Sequence, residues 1–377
     1  MQKKIIMLML TTLLLLNVPC VVSAKGATDK EQKNNNISVI GNNKIEEIVQ
    51  KYFSNNLKAE KELKGTDNST IDQQSSLAEF NKLQYELKGK INKHYKLNLE
   101  YYNNSIQINS ISQKDNLIRV DVDNNVRCKY DTLDDESSYS ESHILYLKGN
   151  DNDLKVERDF CSLDENAKNI EEDIGNSKVR GSLLAQVTSA KSYNDYVENE
   201  INDLKNKIDN IDECFHKIDN KINNVNLMSA RSGGRYNRGA AANWARKNVK
   251  SPEKYKGNDC TNFVSNAVRQ GGIPTDNLWY PGSNTWIRVV EFGDWLSPRK
   301  GYATDYYPYT MSTSGDVIQF FNKNKGVFSH SVIVTGRSSV GMPAVSAHTN
   351  AADNVPASNY YPGNSTYSTY RALNIIY

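Results

Sequence analysis

Apolar residues recur along the first part of the chain with two different periods, and each period marks a different kind of element. Between residues 44 and 96 they recur at helical spacing, which predicts two helices separated by turn residues near 65–68. From residue 106 onward apolar and polar residues alternate, which predicts at least four strands. Helices followed by short consecutive strands predict an α+β domain with an antiparallel sheet over residues 44–163.

The most regular pattern lies further along the chain, in a polar linker region that spans residues 164–230. Within it, apolar residues alternate steps of four and three over residues 197–225. These positions are Val197, Ile201, Leu204, Ile208, Ile211, Phe215, Ile218, Ile222 and Val225. Such a heptad seam predicts a helix of the coiled-coil type. Self-association of copies and packing within one chain use the same seam, so both interpretations stay open.

Residues 236–377 repeat the order of helix before sheet. A helix is predicted over Tyr236–Asn248 and ends before Pro252, which cannot continue it. A second helix is predicted to start at Cys260, with Asp259 as its N-cap. Strands are expected near residues 317–321, 328–335, 344–348 and 369–376. This pattern predicts a second α+β domain.

The start of the chain carries a targeting signal. Lys3 and Lys4 precede the apolar run Ile5–Leu16, and small residues follow at Val22–Ala24. This is the pattern of a secretory signal peptide over residues 1–24, and the run is too short for a comfortable membrane span. Residues 25–43 are polar and Asn-rich, which predicts a disordered leader. We therefore expect a secreted protein without a membrane span.

Charge is distributed unevenly over the predicted mature chain. Residues 231–377 contain 16 Lys and Arg against 8 Asp and Glu, a balance of +8. A basic domain on an exported protein suits an anionic polymer such as a cell wall, although the same charge would serve solubility alone. We expect no nucleic-acid partner. Four cysteines remain after the signal, and whether Cys128 and Cys161 form a disulfide stays open.

Two residues of the last domain suggest nucleophilic chemistry. Cys260 lies at the predicted start of a helix, where the positive end of the helix dipole favours a thiolate. His330 lies near the start of a predicted strand, and an imidazole beside the thiol would take its proton. Taken singly, each residue is typical of a buried core position. Their placement on a helix start and on a strand, in this order, favours a catalytic pair.

The surrounding residues resemble a known family. Asn258–Ser265, His330–Val334 and His348–Asn350 are similar, in sequence and in order, to amidase domains of the papain-like superfamily. Those domains are distant relatives of the NlpC-type peptidases and CHAP amidases that cut bacterial cell walls. The resemblance covers about Tyr236–Tyr377. It implies a papain-like core with a nucleophilic cysteine on a helix and a histidine on the adjoining strand.

Roles follow from this chemistry. Cys260 would attack an amide carbonyl, and His330 would activate the thiol and then protonate the leaving amine. The resemblance implies an orienting residue on the next strand, where His348 is preferred and Asn350 is the alternative, provided that the strand continues through both. Tyr255 and Asn258 are weaker candidates for an oxyanion donor. No metal or cofactor is expected.

These observations predict an exported cysteine amidase or peptidase that acts on peptidoglycan. The sequence does not separate an N-acetylmuramoyl-L-alanine amidase from an endopeptidase of the stem peptide. Two alternatives stay open: a zinc hydrolase with Cys260, His330 and His348 as ligands, and a non-catalytic wall-binding protein. Trp279, Tyr280 and Trp286 are interpreted either as residues that stack on sugars or wall a substrate groove, or as core anchors.

The first domain carries fewer clues to function. On pattern alone it resembles the cone-shaped fold of nuclear-transport-factor-like domains. We find no catalytic constellation in it, and we interpret its histidines, His94 and His143, as structural.

Overall fold

A computed structural model gives the arrangement of most of the chain after the leader. It describes residues 40–63, 68–114, 117–161, 183–220, 235–299, 301–304 and 308–377. The predicted signal peptide, nearly all of the leader, and Ile222 and Val225 of the heptad pattern lie outside these residues.

Two helices and four strands build the first part of the described chain, in the predicted order. The helices are α1 (Asn42–Glu62) and α2 (Ser76–His94), and the strands are β1 (Leu99–Lys114), β2 (Leu117–Tyr130), β3 (Ser137–Lys148) and β4 (Lys155–Cys161). The side chain of Ser75 caps α2 by accepting a hydrogen bond from the Ala78 amide. Cys128 and Cys161 are both free thiols.

The heptad pattern forms two helices, α3 (Leu183–Asp209) and α4 (Ile211–Asn220). Their seam is buried against this chain's own residues. Val197 and Ile201 pack with Phe160 of β4, whereas the following seam residues join a core that also contains residues of α2 and of the last domain. Over the described residues the seam is therefore packed within the chain, and self-association through it remains a prediction.

This arrangement makes a prediction about oligomeric state. Leu204→Ala is expected to lower the free energy of unfolding by about 2–5 kcal/mol, because Leu204 is buried in the intrachain core. The sedimentation coefficient of the folded fraction should not change. Chemical denaturation and analytical ultracentrifugation measure the two effects. A dimer that dissociates when Leu204 is truncated would restore the coiled-coil interpretation.

The last part of the chain contains four α-helices and six strands in its described residues. The helices are α5 (Arg238–Asn248), α6 (Cys260–Gln270), α7 (Asn284–Ile287) and α8 (Val289–Asp294). The strands are β5 (Ala303–Thr304), β6 (Val317–Asn322), β7 (Val327–Arg337), β8 (Pro343–Ala347), β9 (Ala352–Pro356) and β10 (Tyr367–Ile375). The order of helices before the main strands agrees with the prediction, although β9 was not predicted.

One antiparallel sheet runs through both parts of the described chain. Its order is β1-β2-β3-β9-β8-β7-β6-β10-β5, and β4 pairs with β3 off this path. The junction is short, with Ser138 paired to Asp353 and Tyr139 to Ala352. The structure is thus a mixed α/β fold with a large antiparallel sheet, as the predicted α+β class requires. The nuclear-transport-factor-like and papain-like likenesses remain predictions.

Each face of the sheet in the last domain has its own core. Ile333 of β7 packs with Phe263 and Val264 of α6 on one face. Its neighbours Val332 and Val334 join the core on the other face, which also contains residues of α3 and α4. Neighbouring strand residues point to opposite faces of the sheet. A β7 side chain can therefore contact α6 only if it lies on the same face as Ile333. No helix in the described ranges is long and apolar enough for a membrane span.

Candidate active site

Cys260 is the first residue of α6, as predicted, and its thiol is buried. Sγ hydrogen-bonds with the backbone amide of Ser331 and lies 3.8 Å from Thr261 Oγ1. Strand β8 pairs with β7 only from Ile333, which lies opposite Ser346, onward. The Ser331 amide therefore has no partner in the ladder with β8. Burial raises the pKa of the thiol, and the hydrogen bonds offset this only in part. Burial thus outweighs these hydrogen bonds, and the thiol needs a base.

Asp259 holds the loop before α6, and its side chain does not cap the helix. Its Oδ1 accepts hydrogen bonds from the Tyr255 amide at 3.0 Å and from Asn262 Nδ2 at 2.9 Å. Its Oδ2 lies 2.7 Å from His348 Nδ1, and no side-chain cap bond is present. Asp259 therefore occupies the N-cap position of α6, as predicted, but its carboxylate bonds these other partners instead of an amide of the first helical turn.

His348 lies just after β8, and both of its ring nitrogens have partners. Nδ1 contacts Asp259, and Nε2 donates to the Asn248 carbonyl at 3.1 Å. The ring also stacks on Phe263, with centroids 4.3 Å apart. His348 thus ties the end of α5, the start of α6 and the end of β8 together. No described hydrogen bond joins it to His330, the residue that it was expected to orient.

Asn350 does not share a strand face with His348. The strand β8 ends at Ala347, and Thr349 and Asn350 both adopt left-handed conformations, with φ values of 59° and 68°. The expectation that the strand continues through Asn350 is therefore wrong, because the chain turns immediately after β8. Asn350 instead lines a cavity that it shares with residues of α1, α2 and β3.

His330 is buried on β7, where it pairs with Phe320 of β6. Its ring stacks on Tyr360 with centroids 5.2 Å apart, and on Tyr367 at 6.3 Å. Nε2 has no hydrogen-bond partner among the described residues. Burial lowers the pKa of His330 to about 4. The imidazole is therefore neutral at physiological pH, which is the form that accepts a proton.

The structure brings Cys260 to the residue after His330, but not to the imidazole itself. Ser331 Oγ lies 3.2 Å from Thr261 Oγ1, so Ser331 faces α6. Since neighbouring strand residues alternate, the His330 ring lies on the opposite side, against Tyr360. Among the described contacts none joins Sγ to the ring. Cys260 also raises the pKa of Tyr360, after the larger effect of burial, so Tyr360 lies within electrostatic range of the thiol.

The two weaker oxyanion candidates belong to the loop before α6. The Asn258 amide donates to the Tyr255 carbonyl at 2.7 Å, and the Tyr255 amide donates to Asp259. Both backbone donors are thus used within the loop, and the Asn258 side chain is exposed.

Two of the three aromatic residues singled out after α6, Trp279 and Trp286, are core anchors, whereas Tyr280 is 51% exposed. Trp279 and Trp286 are fully buried. Trp286 Nε1 donates to Asn262 Oδ1 at 2.8 Å, and Trp279 Nε1 donates to Ser265 Oγ at 3.2 Å. Polar residues of the cysteine motif therefore fasten this loop to α6, and the two tryptophan rings are not available for stacking on sugars.

The three residues of the zinc alternative do not converge. His348 is engaged by Asp259 and Asn248, and the His330 ring lies against Tyr360. Within the described ranges, no group of three or more His, Cys, Asp and Glu side chains is arranged to hold a metal ion.

The burial of His330 predicts a pH dependence of stability. Its pKa falls from about 6.5 in the unfolded chain to about 4 in the fold, so the unfolded state binds the proton more tightly. The neutral His330 therefore contributes about 3 kcal/mol to the free energy of unfolding. This contribution is fully present above pH 6.5 and is lost as the pH falls towards 4. Urea denaturation should show that the free energy of unfolding falls between pH 7 and pH 4 by about 3 kcal/mol more in wild type than in His330→Gln. Equal losses would contradict a neutral, buried His330.

Comparison with known proteins supports the resemblance found in the motifs. Residues 235–371 match the model of a family described as "Putative amidase domain", the family that the motifs resemble. The chain is also 31% identical over 175 residues to a Bacillus subtilis (strain 168) protein named "Uncharacterized protein YjcM". That alignment covers 43% of this chain and 42% of the relative. No solved structure matches the chain. At the level of the family, hydrolase activity is supported.

Proposed function

We propose that this chain is an exported, cysteine-dependent amidase or peptidase that hydrolyses amide bonds of peptidoglycan. One observation carries the proposal. Within the part that matches an amidase family, the Cys260 thiol at the start of α6 hydrogen-bonds with the amide of the residue that follows His330. The proposed nucleophile thus lies beside the β7 residue that follows the proposed neutral base.

The reaction has two steps. His330 takes the thiol proton as Sγ of Cys260 attacks the carbonyl carbon of the amide, which forms a tetrahedral intermediate. The C–N bond then breaks, the amine leaves with the proton from His330, and a thioester remains on Cys260. Water hydrolyses the thioester, which releases the acid and restores the thiol. The raised pKa of the thiol and the lowered pKa of His330 fit general-base activation and do not fit a preformed ion pair.

The imidazole has to reach the thiol for this reaction. In unliganded sites catalytic hydrogen bonds are often long and form only when the substrate is bound. Tyr360 stacks on His330 and lies within electrostatic range of Cys260, so a movement of the imidazole towards the thiol would have to break this stacking contact. His348 and Asp259 act as positioning residues in this scheme, because they fix the start of α6.

The charge of the domain supports the choice of substrate. The balance of +8 over residues 231–377 suits an anionic wall polymer, and the signal-peptide pattern at the start of the chain supports export. Together they favour peptidoglycan over an intracellular amide. Association with the cell wall follows as part of the proposal.

A wall-binding protein without activity is the second candidate, and one observation favours it. The His330 ring faces away from α6, and no described contact joins it to Cys260. A chain that has lost catalysis would keep this closed arrangement in the presence of the substrate.

Incubation with purified peptidoglycan tests the proposal. Mass spectrometry of the soluble products is expected to show new amine and carboxylate ends, either between muramic acid and L-alanine or within the stem peptide. Iodoacetamide should abolish the products and a metal chelator should not, whereas the opposite result would favour the zinc mechanism. Sedimentation of the chain with peptidoglycan, in the absence of any products, would favour the wall-binding protein.

A further inference from the structure

Lys207 of helix α3 fastens a segment of the last domain. Its Nζ donates to three carbonyl oxygens, those of Pro362 at 3.4 Å, Asn364 at 2.5 Å and Tyr367 at 3.0 Å. Burial lowers the pKa of Lys207 to about 8, so the amino group is still mostly protonated at neutral pH. The ammonium form has three hydrogens, one for each of these carbonyls.

Two further residues of α3 hold the same region. Glu200 accepts a hydrogen bond from Ser365 Oγ at 2.5 Å, and Asp203 pairs with Lys323. The Lys323 amide in turn donates to the Thr366 carbonyl at 3.1 Å. Spacings of three and four positions place such residues on one side of a helix. We call these three residues the α3 clasp: Glu200, Asp203 and Lys207.

The segment that the clasp holds covers the proposed base. Tyr360 and Tyr367 stack on His330, with centroids 5.2 Å and 6.3 Å from its ring. The same two rings pack against Phe320, the residue that pairs with His330 on β6. His330 is 6% exposed beneath this aromatic cover of Tyr360 and Tyr367. An imidazole that moves towards the proposed nucleophile has to break these stacking contacts.

We propose that the α3 clasp holds the aromatic cover closed over His330 and thereby restrains the proposed amidase. The apolar seam of α3 is buried within the chain, and the polar side of the same helix bonds the segment that carries the cover. The hold of the clasp on that segment is independent of catalysis. Only the restraint of hydrolysis rests on the proposed function.

Lys207→Met removes the three hydrogen bonds and keeps most of the length of the side chain. Amides of residues 360–366 are expected to exchange hydrogen at least about tenfold faster than in wild type at pH 7, the effect of losing one hydrogen bond to a charged donor. The pKa of His330 should rise from about 4 towards 6.5, because a loosened cover admits water to the ring. Mass spectrometry after exchange and NMR of labelled histidines measure these two effects.

A lysine on the same helix provides the matched control. Lys205 is exposed and pairs with Glu79 at 2.7 Å, so Lys205→Met should leave the exchange rates and the pKa of His330 unchanged. Lys207→Arg keeps a cationic donor and should recover part of the protection. Ser365→Ala removes the bond to Glu200 alone and should speed exchange about threefold or more. This milder variant keeps the test decisive if Lys207→Met does not fold.

Hydrolysis of peptidoglycan measures the restraint. Lys207→Met is expected to release products about tenfold faster than wild type at saturating substrate, because the closed cover is less populated when a charged hydrogen bond is lost. Ser365→Ala should be faster by a smaller factor, and Lys205→Met should keep the wild-type rate. Thermal unfolding checks that each variant is folded at the temperature of the assay.

The outcomes separate the clasp from the proposed function. Unchanged exchange and an unchanged pKa of His330 in both Lys207→Met and Ser365→Ala would overturn the clasp. Faster exchange together with unchanged or slower hydrolysis would overturn the restraint. If the segment is loosened as expected but neither wild type nor any variant hydrolyses peptidoglycan, the clasp stands and the proposed function is wrong.

Discussion

Cys260→Ala is expected to lower the rate of amide hydrolysis on peptidoglycan at least about a thousandfold, because the variant has no nucleophile to form the thioester. The fold should persist, since the thiol's described contacts are weak ones with Thr261 and the Ser331 amide. Release of muropeptides over time, followed by mass spectrometry, measures the rate. Circular dichroism and thermal unfolding check the fold.

A second cysteine provides the control for this substitution. Cys214 is half-buried on α4, where it contacts the Tyr361 hydroxyl at 3.8 Å, far along the chain from the proposed nucleophile. Cys214→Ala should keep the wild-type rate. If Cys260→Ala retains activity while its fold is intact, the thiol mechanism is excluded, and the observed hydrolysis needs another nucleophile.

The sequence was a reliable guide to elements and less reliable about the faces they present. Regular apolar patterns correctly predicted α1, α2, the first four strands and the start of α6 at Cys260. Strand β9 was missed because Ala352–Pro356 is short and contains Asp, Asn and Pro, which are typical of turns. That strand completes the junction with β3, so the continuity of the sheet was missed with it.

The orientation of His330 illustrates why the site was harder to predict than the fold. Phe320 pairs with His330, but the next residue, Phe321, pairs with Phe328, so Ser329 is an extra residue in β7. Such a bulge changes which face the following side chains occupy. Whether His330 or Ser331 faces α6 depends on this single irregularity. No periodicity in the sequence indicates it.

The cavity that α1, α2, β3 and the segment 358–367 line could not be predicted from the sequence either. His143 and Cys161 lie opposite each other on β3 and β4, while Asn92 comes from α2 and Ser358 from the last domain. Their meeting depends on the pairing of β3 with β9, which no local pattern predicts. From sequence alone His143 is interpreted as structural, and only the assembled sheet shows that this residue lines a cavity.

Removing either side chain of the Asp259–His348 pair is expected to lower the free energy of unfolding by about 3–5 kcal/mol, because the remaining partner is left buried without its bond. Asp259 also holds Tyr255 and Asn262, so Asp259→Ala should cost at least as much as His348→Ala. Urea denaturation of the two variants and of the double variant measures their coupling.

Measurements of stability and activity separate two roles for His348, positioning of the loop before α6 and direct action in the reaction. An exposed ion pair provides the control. Lys148 forms an exposed ion pair with Glu157 at 3.0 Å, and Lys148→Ala should cost less than about 1 kcal/mol. A positioning role predicts that His348→Gln, which keeps a donor for Asn248, recovers part of both stability and activity. If His348→Ala instead unfolds like wild type but loses activity, His348 acts in the reaction itself, as the family resemblance implied, and the pair with Asp259 is secondary.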